Sequence, residues 1–221
     1  KVPVSFVEKE KLDFKPIKEG EQWGEKWESA WFHLKGEIPQ NWSGKKVVAN
    51  LDFSGEGLVF DSNGKAVQGI TNGSIFDANF KRIWVPIEES CKGGENIELW
   101  VETAANSLFG VYTENDPAED SPNRYGNFPA KAESMKLQIF NESLWHLWLD
   151  FRVIHGLIKR LPEDSVQRAK VIDCANSAID IFVDDKNNSE KSRKVLQEVM
   201  SNHASASDLH VSAVGHAHID T

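Results

Sequence analysis

The stretch EGLVFDSNGKAVQGI, from Glu56 to Ile70, decides how the first half of this chain is interpreted. Two short runs flank Ser62, Asn63 and Gly64. An Asn-Gly pair between such runs is the strongest short-range signal for a β-hairpin. We therefore predict two antiparallel strands that are joined at this turn.

Short stretches on both sides of the hairpin are also typical of strands, because they are aromatic or β-branched and are bounded by polar turns. They are AWFHLKGEI (30–38), KKVVANLDF (45–53), RIWVPI (82–87), NIELWVETA (96–104) and MKLQIF (135–140). We expect Pro86 and the polar residues after it to end the RIWVPI strand. Short strands at regular spacing predict an antiparallel β-sandwich rather than a βαβ arrangement.

The strand at residues 96–104 alternates cleanly, which predicts that its two faces differ. Ile97, Leu99 and Val101 lie on one face, while Glu98, Trp100 and Glu102 lie on the other. The polar, proline-containing stretch at residues 113–134 predicts a long surface loop before the last strand.

After Asn141, a plausible helix N-cap, the hydrophobic period changes from two to 3.6 residues, which predicts helices. The first apolar stripe consists of Leu144, Leu147, Trp148, Phe151, Ile154, Ile158 and Leu161. Pro162 is expected to end this helix and to open the next one at its first turn. The second stripe consists of Val166, Ala169, Ile172, Ala175, Ile179 and Phe182. A third amphipathic helix is predicted from about Ser189 to Asn202.

The composition, with 40% hydrophobic and 27% charged residues in a chain of 221, is that of a folded globular protein. A formal net charge of −9 argues against nucleic-acid partners and against docking on an anionic membrane. No apolar run approaches the ~20 residues of a spanning helix, and the N-terminus lacks the apolar core of a signal peptide. Cys91 and Cys174 are expected to be unpaired thiols in a reducing compartment, which favours a cytoplasmic protein.

The last residues, VSAVGHAHIDT, resemble half of a metal site. Side chains at positions i and i+2 of a strand share a face, so His216, His218 and Asp220 point the same way. Imidazole nitrogen and carboxylate oxygen are good Zn²⁺ ligands. Neighbouring side chains on one face of a strand lie ~6.6–6.8 Å apart. His216 and Asp220, two such steps apart, would therefore be separated by about 13 Å on a straight strand. The spacing therefore favours one adjacent pair of ligands and leaves open which pair.

The H-x-H-x-D spacing also occurs in metallo-β-lactamase-like hydrolases, but those follow the aspartate with histidine, where this chain has Thr221. AVGHAHIDT more closely resembles the start of the catalytic domain in α-mannosidases of glycoside hydrolase family 38. Three stretches of the β region resemble the same family: WESAWFHLKGEIPQNWSGKKV, SGEGLVFDSNGKAVQGIT and VETAANSLFGV. The resemblance covers nearly the whole chain.

The resemblance implies an N-terminal fragment of a zinc-dependent, retaining α-mannosidase that acts on α-mannosides or oligosaccharides. His218 and Asp220 match two ligands of the single zinc ion that the family's full-length enzymes bind. His216 is implied to lie next to these ligands. Both catalytic carboxylates lie beyond Thr221 in the family, so no catalytic residue is assigned and the fragment itself is expected to be inactive.

The change of hydrophobic period at Asn141 and the linker-like stretch HASASD before the last strand, together with the resemblance, imply three regions. Residues 1–140 form a jelly-roll, galactose-binding-like β-sandwich, residues 141–207 a helical linker segment, and residues 208–221 the start of a truncated catalytic α/β domain. An alternative function is an independent carbohydrate-binding module, with Trp23 and Trp100 as rings that stack on sugar. Against that alternative, tryptophans are usually buried, and packing is the expected role of both. Homo-oligomerisation stays open.

Overall fold

The computed structural model describes residues 4–25, 27–73, 81–106, 129–201, 212, 213 and 215. The chain divides into two compact units, Lys1–Phe140 and Asn141–Thr221. The described part of the first unit is built from strands and that of the second from helices. The prediction of a mostly β fold with some α is therefore confirmed.

Nine strands make up the first unit within the described residues. They are β1 (Gln22–Gly24), β2 (Ser29–Glu37), β3 (Val47–Asp52), β4 (Glu56–Asp61), β5 (Ala66–Ile70), β6 (Trp84–Glu88), β7 (Asn96–Ala104), β8 (Ala130–Lys131) and β9 (Ser134–Ile139). The larger sheet has the order β2-β7-β4-β5, the smaller one β6-β3-β9, and β1 pairs with β8. These pairings are antiparallel, as predicted.

The two larger sheets share one hydrophobic core, which makes this unit a sandwich. The larger sheet contributes Phe32, Val59 and Val101, and the smaller one contributes Leu51 and Val85. Complete burial of one such side chain stabilises the fold by roughly 1.5–3 kcal/mol. The alternation along β7 follows from this arrangement, since its odd-numbered residues enter the core.

The turn between β4 and β5 forms where the Asn-Gly pair predicted it. Gly64 has a φ of +84°, which a residue with a Cβ adopts only at a cost. The Asp61 carboxylate accepts hydrogen bonds of 2.9 Å from the backbone N–H groups of Asn63 and Lys65. This hairpin is thus fixed by local chemistry that is visible in the sequence.

Two strand predictions were wrong in detail. Pro86 does not end β6, which continues to Glu88. Because β6 is an edge strand of its sheet, a residue without an N–H is tolerated there. The predicted loop at 113–134 contains β8, which forms only because β1 supplies a partner. Residues 113–128 of that predicted loop lie outside the described residues.

Within the described residues, the second unit contains three α-helices, α1 (Glu142–Arg160), α2 (Val166–Asp184) and α3 (Ser189–Met200). The Asn141 side chain accepts a hydrogen bond of 3.0 Å from the Leu144 N–H, which confirms the predicted N-cap. Pro162 does not open α2, because Ser165 caps it and accepts a 3.1 Å bond from the Arg168 N–H. None of the helices that the structure describes is long and apolar enough to cross a membrane.

The predicted apolar stripes of α1 and α2 were partly wrong. On α1, Leu147 and Ile154 are buried as predicted, whereas Leu144 and Trp148 are exposed. On α2 the buried residues are Val171, Ala175 and Ala178, while Val166 and Ile179 are exposed. Small alanines allow neighbouring helices to approach closely, so they define the packed face of α2 better than its larger side chains do.

Candidate functional site

The predicted zinc ligands His218 and Asp220, together with His216, lie outside the described residues. The ligand assignment therefore stays a prediction, as does the start of an α/β domain at residues 208–221. Within the part of the chain that the structure describes, no group of three or more His, Cys, Asp or Glu side chains could hold a metal ion.

The two tryptophans proposed as sugar platforms are part of the packing of the sandwich. Trp100 is only 6% exposed. Trp23 is partly buried against the core, and its indole N–H donates a 2.9 Å hydrogen bond to the Phe53 carbonyl. Trp100 therefore has the packing role that was expected of it. Trp23 also packs against the core, but it lines the cleft described below.

The N-terminal segment, residues 4–17, explains why Trp100 is buried although it points away from the core. Phe6 and Phe14 pack edge-on against Trp100, with ring centroids 6.4 and 5.7 Å away. Lys9 is 3% exposed, and its ammonium lies 3.7 Å from the Phe6 centroid and 4.1 Å from a Trp100 ring. The Trp31 indole N–H donates a 3.0 Å bond to the Val4 carbonyl. The outer face of the larger sheet is therefore a second packed layer.

An open cleft lies beside this segment, with a volume of about 980 Å³. Residues 12–17 and 21–23 form one side, and the edge strands β2 and β9 form the others. Side chains of the core, including Ala49, Leu51 and Leu99, also line it. Aromatic and polar groups complete the lining: Phe14, Trp23, Trp31, His33, Asp13, Lys15, Glu21, Gln22, Lys35 and Lys136. Its size is at the upper end of the range of small-molecule sites.

Ionic hydrogen bonds fix the wall of the cleft on the β9 side. The Glu19 carboxylate accepts a hydrogen bond of 2.9 Å from the Lys136 ammonium and one of 2.8 Å from the Met135 N–H. The Lys136 ammonium first, and then the Met135 N–H, lower the pKa of Glu19. The Gly20 N–H also donates to the Ala132 carbonyl at 2.8 Å. Glu19 and Gly20, which follow the N-terminal segment, are thus tied to β9 and to the residue Ala132 before it by side-chain and backbone hydrogen bonds.

On the β2 side, the cleft-lining residues His33 and Lys35 both interact with Glu98. His33 Nε2 lies 2.7 Å from Glu98 Oε1, and Lys35 Nζ lies 3.6 Å from the same oxygen. The hydrogen bond from His33 is the main cause of the lowered pKa of Glu98. A carboxyl group with a lowered pKa is ionised at neutral pH, so Glu19 and Glu98 can accept hydrogen bonds but cannot serve as general acids.

Neither sequence pattern nor spacing predicted this cleft. Residues 4–21 have no regular period, and the lining comes from segments that are distant along the chain. The only signal in the sequence was the high aromatic content of residues 6–33, which does not say which rings meet. The described candidate site is a cleft lined by apolar, aromatic and ionic groups.

The fold and the site therefore define a β-sandwich domain followed by a three-helix unit. The chain belongs to the α-mannosidase jelly-roll domain family, whose family model matches residues 1–137. The resemblance to α-mannosidases that the sequence showed is confirmed.

Individual relatives match beyond the sandwich. Alpha-mannosidase G of Dictyostelium discoideum is 30% identical over 219 residues, which cover 98% of this chain and 19% of that protein. Alpha-mannosidase 2C1 of Mus musculus is 27% identical over 95% of this chain and 19% of its own length. Alpha-mannosidase 2C1 of Homo sapiens is 26% identical over 98% of this chain and 20% of its own length. The chain thus spans about a fifth of the length of these curated relatives and matches their N-terminal part.

Proposed function

We propose that this chain is the N-terminal part of a zinc-dependent, retaining α-mannosidase that hydrolyses terminal α-mannosides. The observation that carries the proposal is the match of 98% of the chain to the N-terminal part of Alpha-mannosidase G. A match of that extent includes the helical unit as well as the sandwich. The catalytic carboxylates belong to the polypeptide that follows residue 221.

The terminal motif is proposed to supply two ligands of the zinc ion, His218 and Asp220. Their donor atoms suit the metal, since neutral imidazole nitrogen and carboxylate oxygen both bind Zn²⁺ at about 2.0–2.2 Å. A catalytic zinc site has three or more protein ligands, so the others come from later in the polypeptide. When bound, the ion would hold hydroxyl groups of the mannose ring. His216 is proposed to orient its neighbours rather than to bind the metal.

The sandwich is proposed to act as a scaffold for the catalytic domain. Support comes from the burial of Trp100, which removes one of the two rings that had suggested sugar stacking. The proposed setting is the reducing cytoplasm. In support of this, Cys91 and Cys174 are unpaired, which agrees with the prediction from the sequence.

The test uses the full-length protein with three single substitutions. Asp220→Ala and His218→Ala should each lose bound zinc and hydrolysis of an aryl α-mannoside together, because an incomplete site does not retain the ion. His216→Ala should keep most of the zinc. Metal content is measured by atomic emission and turnover by release of the aryl group. Loss of zinc in His216→Ala with retention in His218→Ala would show that the ligand assignment is wrong.

A second candidate function is saccharide binding by the sandwich on its own. The cleft favours it, because aromatic rings and ionised side chains line a volume of about 980 Å³. Titration of the 221-residue chain with α-mannosides by calorimetry tests it. If the cleft is the site, Lys35→Ala should weaken binding, whereas Lys18→Ala, at an exposed position outside the lining, should not. An absence of heat at millimolar sugar would leave the scaffold role as the function of this domain.

A further inference from the structure

Helix α1 is apolar on two opposite faces. One face carries Leu147 and Ile154, which are buried in the core of the helical unit. Successive residues of an α-helix are ~100° apart, so the side chains on the opposite side include Trp148, Leu149 and Val153. A surface helix of a globular domain normally has one apolar stripe and one polar face. The second apolar face of α1 therefore needs an explanation.

The α1 outer face, which we define as Trp145, Trp148, Leu149, Arg152 and Val153, is accessible to solvent. Trp148 is 43% exposed, Leu149 36% and Val153 56%. The Trp145 and Trp148 rings stack with centroids 4.9 Å apart. The Arg152 guanidinium lies over the Trp148 ring, 4.9 Å from its centroid. These contacts arrange the aromatic groups in one patch and do not hide it from solvent.

The opposite side of α1 is firmly held, so the patch cannot turn inward. Asp150 accepts a 2.7 Å hydrogen bond from Arg193 Nε of α3. Rotation of α1 about its axis would break this bond and would expose Leu147 and Ile154. The outer face is therefore a preformed surface on a rigid helix.

We propose that the α1 outer face docks on an apolar surface of the polypeptide that follows residue 221. This inference rests on the proposed function, because it requires the longer protein. The relatives are about five times as long as this chain, whose matches cover 19–20% of them, so a large partner surface follows in the same polypeptide. Tryptophan and arginine are also the residues that most often carry the binding energy at the centres of interfaces.

Site-specific thiol labelling tests the docking. Val153→Cys is compared with Lys194→Cys, an exposed position on α3, in the 221-residue chain and in the full-length protein. Position 153 should react about tenfold more slowly in the full-length protein, which corresponds to ~1.4 kcal/mol of protection. Position 194 should react at similar rates in both. The background labelling of the native thiols Cys91 and Cys174 is measured on the unsubstituted proteins.

Two outcomes would overturn the inference. Equal labelling of position 153 in both proteins would mean that the face stays open. Protection already present in the 221-residue chain, together with a dimer in sedimentation, would make a second copy the occupant. The readout does not depend on turnover: a full-length protein that protects position 153 but lacks mannosidase activity would refute the proposed function and leave the docking intact.

Discussion

The imidazole of His33 joins two neighbours across the β2–β7 pair: it lies flat on the Trp100 ring and bonds to the Glu98 carboxylate. The centroids of the His33 and Trp100 rings are 3.7 Å apart, and their planes differ by 7°. The Nε2 to Oε1 distance is 2.7 Å. One imidazole thus connects the aromatic layer under the N-terminal segment to an ionised surface carboxylate.

Glu98→Gln should make the stability of the sandwich less sensitive to acid. The pKa of Glu98 is lowered from 4.5, chiefly by the hydrogen bond from His33. A lowered pKa in the folded state contributes stability that is present above the unfolded value and is lost as pH falls through the folded value. Urea unfolding of the wild type and the variant at neutral pH and below pH 4.5 measures the difference.

The control for this prediction is Glu88→Gln, which removes an exposed carboxylate from β6. It should leave the acid dependence closer to that of the wild type. Identical acid profiles for all three proteins would contradict a stabilising role for the bond between His33 and Glu98.

Gly64→Ala should destabilise the sandwich more than Gly20→Ala does. Both glycines have a φ of +84°, so both substitutions carry the left-handed penalty of about 1–2 kcal/mol. A Cβ at position 64 would lie 2.7 Å from the Phe6 ring, whereas nothing lies within 4 Å of one at position 20. The free energy of unfolding in urea should therefore fall further for Gly64→Ala.

A double-mutant cycle measures how much of the destabilisation by Gly64→Ala comes from the clash with Phe6. In a Phe6→Ala background, the cost of Gly64→Ala should shrink towards that of Gly20→Ala. Equal costs of Gly64→Ala with and without Phe6 would mean that the N-terminal segment does not pack on the hairpin turn.

Asp150→Asn should destabilise the helical unit by about 1.5–3 kcal/mol, the usual value of a hydrogen bond between charged groups. Asp150 is buried and accepts a hydrogen bond of 2.7 Å from Arg193, which ties α1 to α3. Glu190→Gln is the matched control, because Glu190 is exposed and lies 3.8 Å from the same arginine. It should cost less than ~0.5 kcal/mol. Thermal unfolding followed by the helical circular dichroism signal compares the two, and equal losses would contradict the prediction.

The 221-residue chain should not hydrolyse an aryl α-mannoside, even with added zinc. Retaining hydrolysis needs two carboxyl groups about 5–5.5 Å apart around the scissile bond. The resemblance places both of those groups after Thr221. The full-length protein serves as the positive control, and turnover by the chain well above the buffer blank would refute this assignment.

The strands and helices were largely predictable because their signals are local. The period of two in residues 96–104 predicted β7, and the Asn-Gly pair predicted the turn between β4 and β5. Asn141 predicted the start of α1. In each case, backbone geometry and side-chain direction depend on residues a few positions apart, so one sequence contains enough information.

The family and the proposed zinc ligands also came from the sequence, through motifs that can be recognised without coordinates. Tertiary structure alone decided which surfaces are covered. It placed Phe6, Lys9 and Phe14 over Trp100, formed the cleft from residues distant along the chain, and left Trp148 exposed where its period predicted burial. Burial depends on what another segment places against a side chain, and that partner can lie anywhere along the polypeptide.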